Sequence, residues 1–153
     1  MVKITSVEED SIAEEMGITP ADFLISINNK PVRDYIDFQF NTSDNYFELQ
    51  IKKEDGTYWD YEIERAVNEN LGISFDKIIF DKLKLCKNKC IFCFVDQLPQ
   101  RCRHSLTLKD DDYRFSFLQG SFITLTNLTS EEFDRIINMR LSPLNISVHT
   151  TNP

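Results

Sequence analysis

Three cysteines lie within one eight-residue stretch of the chain, Cys86 to Cys93, and this crowding constrains the fold more than any other feature. The spacing is Cys-x3-Cys-x2-Cys, with Cys90 in the middle, so one short loop can bring all three thiols around a single inorganic centre. A disulfide would pair two of the thiols and leave the third over, and no signal peptide routes the chain to an oxidising compartment. The pattern therefore favours an inorganic site over a disulfide framework.

The same stretch resembles the radical S-adenosylmethionine (SAM) superfamily, in which an aromatic residue, here Phe92, precedes the third cysteine. The resemblance implies that Cys86, Cys90 and Cys93 hold three irons of a 4Fe-4S cluster and that SAM binds the fourth iron. It further implies reductive cleavage of SAM to a 5'-deoxyadenosyl radical that abstracts hydrogen from substrate. An under-ligated cluster suits this chemistry, because a fully ligated one mainly carries electrons.

Further motifs extend the resemblance across nearly the whole chain. They are Cys90–Pro99, Lys109–Arg114, Phe122–Asn127, Arg140–Pro143 and Ile146–His149. Together they resemble one bacterial family whose members join a PDZ-like domain, a radical SAM-like domain and a carboxy-terminal domain of unknown function. Proteins of this family are described as iron-sulfur oxidoreductases. The resemblance identifies neither the substrate nor any catalytic residue.

The resemblance also suggests which side chains contact SAM. The candidates are Phe92, Thr124, Thr126, Asn127, Ser147 and His149. The phenylalanine stands where an aromatic packs beside adenine, although a core aromatic would show the same pattern. The two threonines and the asparagine replace a glycine-glycine-glutamate motif that holds the methionine amino group, and their oxygens accept ammonium hydrogens more weakly than a carboxylate does. The serine and histidine resemble positions near cofactor or substrate, with a structural hydrogen-bonding role as the alternative.

Zinc is the competing occupant of the cysteine loop. A structural zinc site needs four ligands, and Cys102 or His104 could supply the fourth. Spacing and family resemblance favour iron and sulfur. Because Cys102 lies beyond Pro99 and outside the three-cysteine pattern, we expect it to be an ordinary thiol.

Charge divides the chain into two parts. Residues 1–76 carry 6 basic and 17 acidic side chains, whereas residues 77–153 carry 11 basic and 8 acidic ones. This shift predicts two domains, 1–76 and 77–153. No apolar run reaches membrane-spanning length, so we expect a cytoplasmic protein without a membrane partner.

Basic side chains cluster around the cysteines in the sequence. They are Lys82, Lys84, Lys87, Lys89, Arg101 and Arg103. Their positive field favours an anionic partner. Nucleic acid is disfavoured but not excluded, because the whole chain is acidic and lacks aromatics interleaved on a basic stripe. An electron donor resembling flavodoxin or ferredoxin is a further expected partner that the sequence does not identify.

The first 76 residues resemble a small β-rich PDZ domain. A strand is predicted at Val2–Val7, a helix capped by Ser11 and Glu14, and a second helix at 34–42. Asp55-Gly56 predicts a two-residue turn, and alternating apolar residues on both sides predict an antiparallel hairpin.

The stretch Asn70–Phe75 resembles the glycine-containing loop and strand that open an ordinary PDZ domain, but here it follows the hairpin. We therefore predict a circularly permuted domain. The groove between this strand and the 34–42 helix could then bind a peptide as an added strand. The favoured alternative is that Gly72 only permits a bend and the module serves as a packing unit.

The second half predicts strands at Ile78–Leu85, Phe122–Thr126 and Ile146–Thr150, the last two separated by a helix that starts at Thr129. This order implies parallel strands with right-handed crossovers. Asp110–Asp112 are expected to cap a helix at 113–118 rather than to bind metal.

Radical SAM domains resemble partial barrels of about six strand-helix units, with chemistry at the carboxyl ends of the strands. About three units fit here. The predicted class is therefore α/β: a permuted PDZ-like domain followed by the truncated first half of a (βα)6 partial barrel.

These features lead to two functional hypotheses. The first is a radical SAM enzyme acting on an unknown substrate, of which this fragment alone would be inactive. The second is a non-catalytic redox or scaffold protein, in which the cluster carries electrons or stabilises the fold and the PDZ-like groove binds a partner.

Overall fold

The computed structural model describes residues 1–66, 69–99 and 101–149 of the chain. The chain divides into two compact units, Met1–Asp81 and Lys82–Pro153. The protein is a mixed α/β protein with a β-rich amino-terminal region, and the charge-based boundary near residue 76 stays a prediction. Within the described parts, no helix has the length and apolar character needed to cross a membrane.

The first unit is built on an antiparallel sheet. Its elements are β1 (Val2–Lys3), β2 (Ser6–Val7), α1 (Ile12–Glu15), β3 (Phe23–Ile27), β4 (Lys30–Pro31), α2 (Tyr35–Asn41), β5 (Tyr46–Lys52), β6 (Tyr58–Glu64) and β7 (Ile73–Ser74). The sheet order is β1-β3-β5-β6, with β4 also paired to β3. In β5, Phe47, Leu49 and Ile51 alternate with more exposed residues and lie in the core, as the period of two predicts.

The predicted strand Val2–Val7 is split between two sheets. β1 pairs with β3, whereas β2 pairs antiparallel with β7, which lies after the hairpin in sequence. Between them Ile4 is fully buried, and its N–H donates to the Asp22 carbonyl. The chain therefore leaves the main sheet after two residues and forms a second, two-stranded one.

The first helix and the hairpin of this unit are present as predicted, but the details of the cap and of the turn differ. Ser11 caps α1, yet the Glu14 carboxylate accepts from the Asp10 N–H, one residue earlier than in a standard capping box. The hairpin is present, but the two-residue turn was wrong: Lys53 and Thr57 pair across a three-residue loop in which only Gly56 has positive φ. The loop is stable because the Asp55 carboxylate accepts from the Thr57 N–H and hydroxyl.

The side of β7 next to α2 is occupied by aromatic side chains of the chain itself. Phe75 packs edge-on against Phe38 of α2 at 5.0 Å and against Phe80 at 4.9 Å. The Phe80 N–H donates to the Arg33 carbonyl just before α2. The segment after β7 therefore folds back against the start of this helix.

The second unit contains a 3-10 helix (His104–Leu106), α3 (Tyr113–Gln119), β8 (Phe122–Ile123), α4 (Ser130–Asn138) and β9 (Asn145–Ile146). β8 and β9 are parallel, with Phe122 opposite Asn145, and α4 connects them as predicted. Both strands are shorter than expected, and Thr150 of the predicted last strand lies outside the described residues. The Ser147 N–H extends the pairing by donating to the Ile123 carbonyl.

The strand predicted at Ile78–Leu85 is wrong. In the described part of this stretch only single bridges form, between Ile79 and Asp34 and between Leu85 and Asp110. The stretch has two different backbone partners, one in each unit, so no continuous ladder develops. The apolar residues of this segment fit the pattern of a strand, but no single neighbouring strand lies opposite the segment to form a ladder with it.

Helix caps in the second unit follow the sequence. Asp112 caps α3 by accepting from the Arg114 N–H, and Thr129 and Glu132 form a capping box at the predicted start of α4. The apolar side chains of α4 are not all buried, because Phe133 and Ile137 are exposed, whereas Leu141, just after the helix, lies in the interior.

Candidate metal and cofactor site

The three clustered cysteines line one cavity of about 420 Å³ in the second unit. Four of the predicted SAM contacts share this lining, namely Phe92, Thr124, Ser147 and His149. Thr126 lines a second cavity of about 440 Å³, which also includes Cys90, Thr124, Ser147 and His149. The sequence therefore identified residues that lie together, although their contacts with a cofactor stay predictions.

All four cysteines are free thiols and are partly buried. Within the described ranges, no three histidine, cysteine, aspartate or glutamate side chains are gathered closely enough to hold one metal ion. In an iron-sulfur cluster each thiolate binds a different iron, and thiolate is the donor that these clusters take. The fit to a cluster rests on donor type and a shared cavity, not on sulfurs that already converge.

Backbone pairing fixes Cys86 at the edge of the cavity. Its N–H donates to the Lys109 carbonyl at 2.8 Å, and the Asp111 N–H donates to the Lys84 carbonyl at 3.0 Å. The Asn127 side chain adds two contacts, because its oxygen accepts from the Lys87 N–H at 3.1 Å and its nitrogen lies 3.8 Å from the Cys86 sulfur. The position of Cys86 is therefore fixed both by its backbone hydrogen bond and by the side chain of Asn127.

Cys90 and Cys93 lie on a turn, in which the Cys93 N–H donates to the Cys90 carbonyl at 3.1 Å. The Lys109 ammonium joins the two arms of this loop by donating to the Asn88 carbonyl at 2.7 Å and to the Asp96 carboxylate at 2.5 Å. The hydrogen bond to Asp96 raises the pKa of Lys109, with a smaller contribution from the Cys93 thiol and against the opposing effect of burial.

A polar network connects the end of β8 to the cysteine loop. Asp111 is buried and accepts from the Thr124 N–H and hydroxyl and from the Asn127 amide. The Asn88 amide donates to the Thr126 hydroxyl at 2.7 Å. The role of Asp111 was not predicted, since three consecutive aspartates before a helix give no signal that separates the one that caps the helix, Asp112, from the one that accepts from Thr124 and Asn127.

An aromatic pair borders the cavity on its other side. The rings of Phe92 and His149 lie 4.8 Å apart at an angle of 50°. Phe92 is about half exposed, so it is not a core aromatic in this unit. A partly exposed pair of rings beside a cavity can pack against a flat heteroaromatic group.

The positive field predicted around the cysteines is partly neutralised. One of these basic residues, Lys84, forms a salt bridge with Glu132 of α4.

The buried Asp112 and Arg114 pair at 2.7 Å. Burial alone would raise the pKa of Asp112, but hydrogen bonds from the Arg114 guanidinium and the Lys84 N–H outweigh it, and the pKa is lowered.

The lowered pKa of Asp112 predicts loss of stability in acid. The folded-state pKa of Asp112 lies below the ordinary value of 3.8. The stabilisation of the fold by ionised Asp112 is therefore complete above pH 3.8 and is lost as pH falls through the folded-state pKa. We expect the difference in unfolding free energy between the wild type and Asp112→Asn to shrink as pH falls below about 4. Urea unfolding measured at pH 7, 5 and 3 tests this, and a difference that stays constant over the series would contradict it.

Two family models match the sequence. A radical SAM-like domain matches residues 65–153, which is more than half of the chain, and a PDZ domain matches residues 3–42. No curated protein matches the chain. The predicted combination of a PDZ domain and a radical SAM-like domain is thus confirmed, and the chain belongs to the radical SAM-like domain family.

Proposed function

We propose that this chain binds a 4Fe-4S cluster through Cys86, Cys90 and Cys93 and acts, with SAM, as a radical SAM-like iron-sulfur oxidoreductase. The observation that carries the proposal is the single cavity shared by these three thiols in a chain of the radical SAM-like domain family. When bound, the cluster and SAM would supply reductive cleavage to a 5'-deoxyadenosyl radical for hydrogen abstraction from an unknown substrate.

In this proposal the residues of the chain bind and orient SAM and support the cysteine loop. The rings of Phe92 and His149 lie 4.8 Å apart beside the cavity and would pack against the adenine of SAM. The Ser147 and Thr124 side chains line the same cavity and offer hydroxyl groups to the polar part of the cofactor. Lys109 stabilises the loop that carries the second and third thiols, because its ammonium joins Asn88 and Asp96 across it.

A second candidate is a redox or scaffold protein that holds the cluster without using SAM. It is favoured by the hydrogen bonds at the positions expected to receive the methionine ammonium. The Thr124 and Thr126 hydroxyls accept from the Asn88 amide, and the Asn127 oxygen accepts from the Lys87 N–H. A cofactor ammonium would therefore compete with contacts that are already made.

Anaerobic reconstitution of the chain with iron and sulfide separates these candidates. The proposal expects about four irons per chain and a change in the electron paramagnetic resonance spectrum of the reduced cluster on adding SAM. An intact cluster that SAM does not perturb supports the redox or scaffold candidate. Purified protein that contains zinc and takes up no iron would reject both.

We further propose the domain organisation 1–76 and 77–153. Antiparallel pairing of β7 with β2 supports a circularly permuted PDZ-like domain, because it places Asn70–Ser74 beside the first residues of the chain. The parallel unit β8-α4-β9 supports the first part of a partial barrel, since such barrels repeat this unit.

The partners of the PDZ domain belong to the same proposal. A peptide could add to β7 beside α2, but Phe75 and Phe80 already pack at this position, which favours a packing role. We propose a cytoplasmic location for the protein, because closely spaced thiols stay reduced there. We also propose that an electron donor resembling flavodoxin or ferredoxin reduces the cluster.

A further inference from the structure

A buried carboxylate lines the same cavity as the first proposed cysteine ligand and has no role in the function proposed above. Asp111 is 3% exposed. It accepts from the Thr124 N–H at 2.6 Å, from the Thr124 hydroxyl at 2.7 Å and from the Asn127 amide at 2.5 Å. The carboxylate is therefore fixed in position by three donors, all from the segment that follows β8.

The side chain of Asn127 is fixed in turn by its own partners. Its nitrogen donates to Asp111 at 2.5 Å and to the Cys86 sulfur at 3.8 Å, with a further contact of 3.3 Å to the Thr126 hydroxyl. Its oxygen accepts from the Lys87 N–H. Because an amide has one acceptor oxygen and one donor nitrogen, these contacts fit only the orientation in which the nitrogen faces Asp111 and Cys86.

We propose that Asp111 and Asn127 form a positioning pair for Cys86: the carboxylate orients the amide, and the amide donates to the sulfur that would bind iron. This inference rests on the proposed function and adds two residues to it. A donor to a ligating sulfur stabilises the more negative, reduced cluster and so raises its reduction potential. Such supporting contacts also affect how firmly a metal is held, typically by about 10- to 100-fold.

Replacing Asn127 tests the contact with sulfur. In the reconstituted 153-residue chain we expect Asn127→Leu to shift the reduction potential to more negative values and to lose iron to a chelator about 10-fold faster. Asn145→Leu is the matched control, because it removes an amide of the same unit that donates to the Gly120 carbonyl. Equal potentials and equal rates of iron loss in wild type and Asn127→Leu would overturn the proposal.

Exchanging the two residues separates positioning from simple structural support. The double variant Asp111→Asn with Asn127→Asp restores a donor and an acceptor between the two side chains but places a carboxylate, not an amide, beside Cys86. We expect thermal stability to recover relative to either single exchange while the reduction potential stays more negative than in wild type. Recovery of both quantities would overturn the proposal and assign the pair a structural role alone.

A measurement on iron-free protein distinguishes failure of this inference from failure of the proposed function. We expect the Asn127 side-chain amide protons to exchange slowly with solvent in the wild type and rapidly in Asp111→Asn, as followed by nuclear magnetic resonance. Rapid exchange in the wild type would overturn the positioning pair whether or not iron binds. Slow exchange in a chain that takes up no iron would overturn the proposed cluster while leaving the Asp111–Asn127 contact established.

Discussion

Cys90→Ser is expected to abolish cluster binding by this chain. A serine hydroxyl is a poor substitute for a thiolate, and a cluster held by only two cysteines would lack the third protein ligand. After anaerobic reconstitution, the variant should contain iron and sulfide only at background level and should lack the visible absorption of the wild type. The change is close to all-or-none because Cys90 lies in the middle of the loop and lines both cavities.

Cys102→Ser is the matched control for this experiment. Cys102 is also a free, partly buried thiol, but it lies outside the three-cysteine pattern. We expect this variant to bind as much iron as the wild type. Full iron content in Cys90→Ser would contradict the proposed ligand set, and loss of metal in Cys102→Ser would point to a fourth protein ligand, as in a closed zinc site.

Gly72→Ala is expected to destabilise the first unit by about 2–5 kcal/mol. Gly72 has φ of +77°, and a Cβ there would lie 2.2 Å from the Ser11 hydroxyl oxygen and 2.3 Å from the Ser11 Cβ. The positive φ costs about 1–2 kcal/mol and the overpacking about 1–3 kcal/mol. Urea unfolding followed by circular dichroism measures the sum.

Two comparisons isolate the steric part of this effect. Gly17 has φ of +70° and nothing within 4 Å of the position that a Cβ would take, so Gly17→Ala should show the backbone cost alone. The double variant Gly72→Ala with Ser11→Gly removes the clashing atoms. Its loss of unfolding free energy should be smaller than the sum of the losses in the two single variants by at least about 1 kcal/mol. Equal destabilisation by Gly17→Ala and Gly72→Ala would show that close packing against Ser11 is not what requires this glycine.

Local patterns in the sequence were enough to predict the elements whose signals are local. The α2 helix lies within the predicted range 34–42, with Asp34 as its cap, and α4 is capped by Thr129, where a helix start was predicted. The hairpin of β5 and β6 follows from alternation around a turn. In each case the deciding interactions join residues that are close in sequence.

Features that depend on distant partners were not predictable in the same way. The segment Ile78–Leu85 has the composition of a strand, but its hydrogen bonds are divided between residues near 34 and residues near 110. The burial of Asp111 likewise depends on Thr124 and Asn127, which lie more than ten residues away. Periodicity describes one segment at a time and does not specify which backbone or side chain will lie opposite it.

The candidate site, like the fold, could be predicted only in part from the sequence. Cysteine spacing and family resemblance identified residues that share a cavity. The Lys109 contacts with Asn88 and Asp96 had no sequence signal, because they join two ends of an irregular loop. Irregular loops take their shape from such individual contacts, so their geometry follows only from coordinates.

The three thiols are supported unequally, which affects how much of the chain a cluster would have to order when it binds. Cys86 is held by a backbone pairing and by the Asn127 side chain, whereas Cys90 and Cys93 lie on a turn joined mainly through Lys109. Immobilising a residue that is already ordered costs less conformational entropy than ordering a loop. Binding a cluster would therefore require less ordering of the chain at Cys86 than at Cys90 and Cys93.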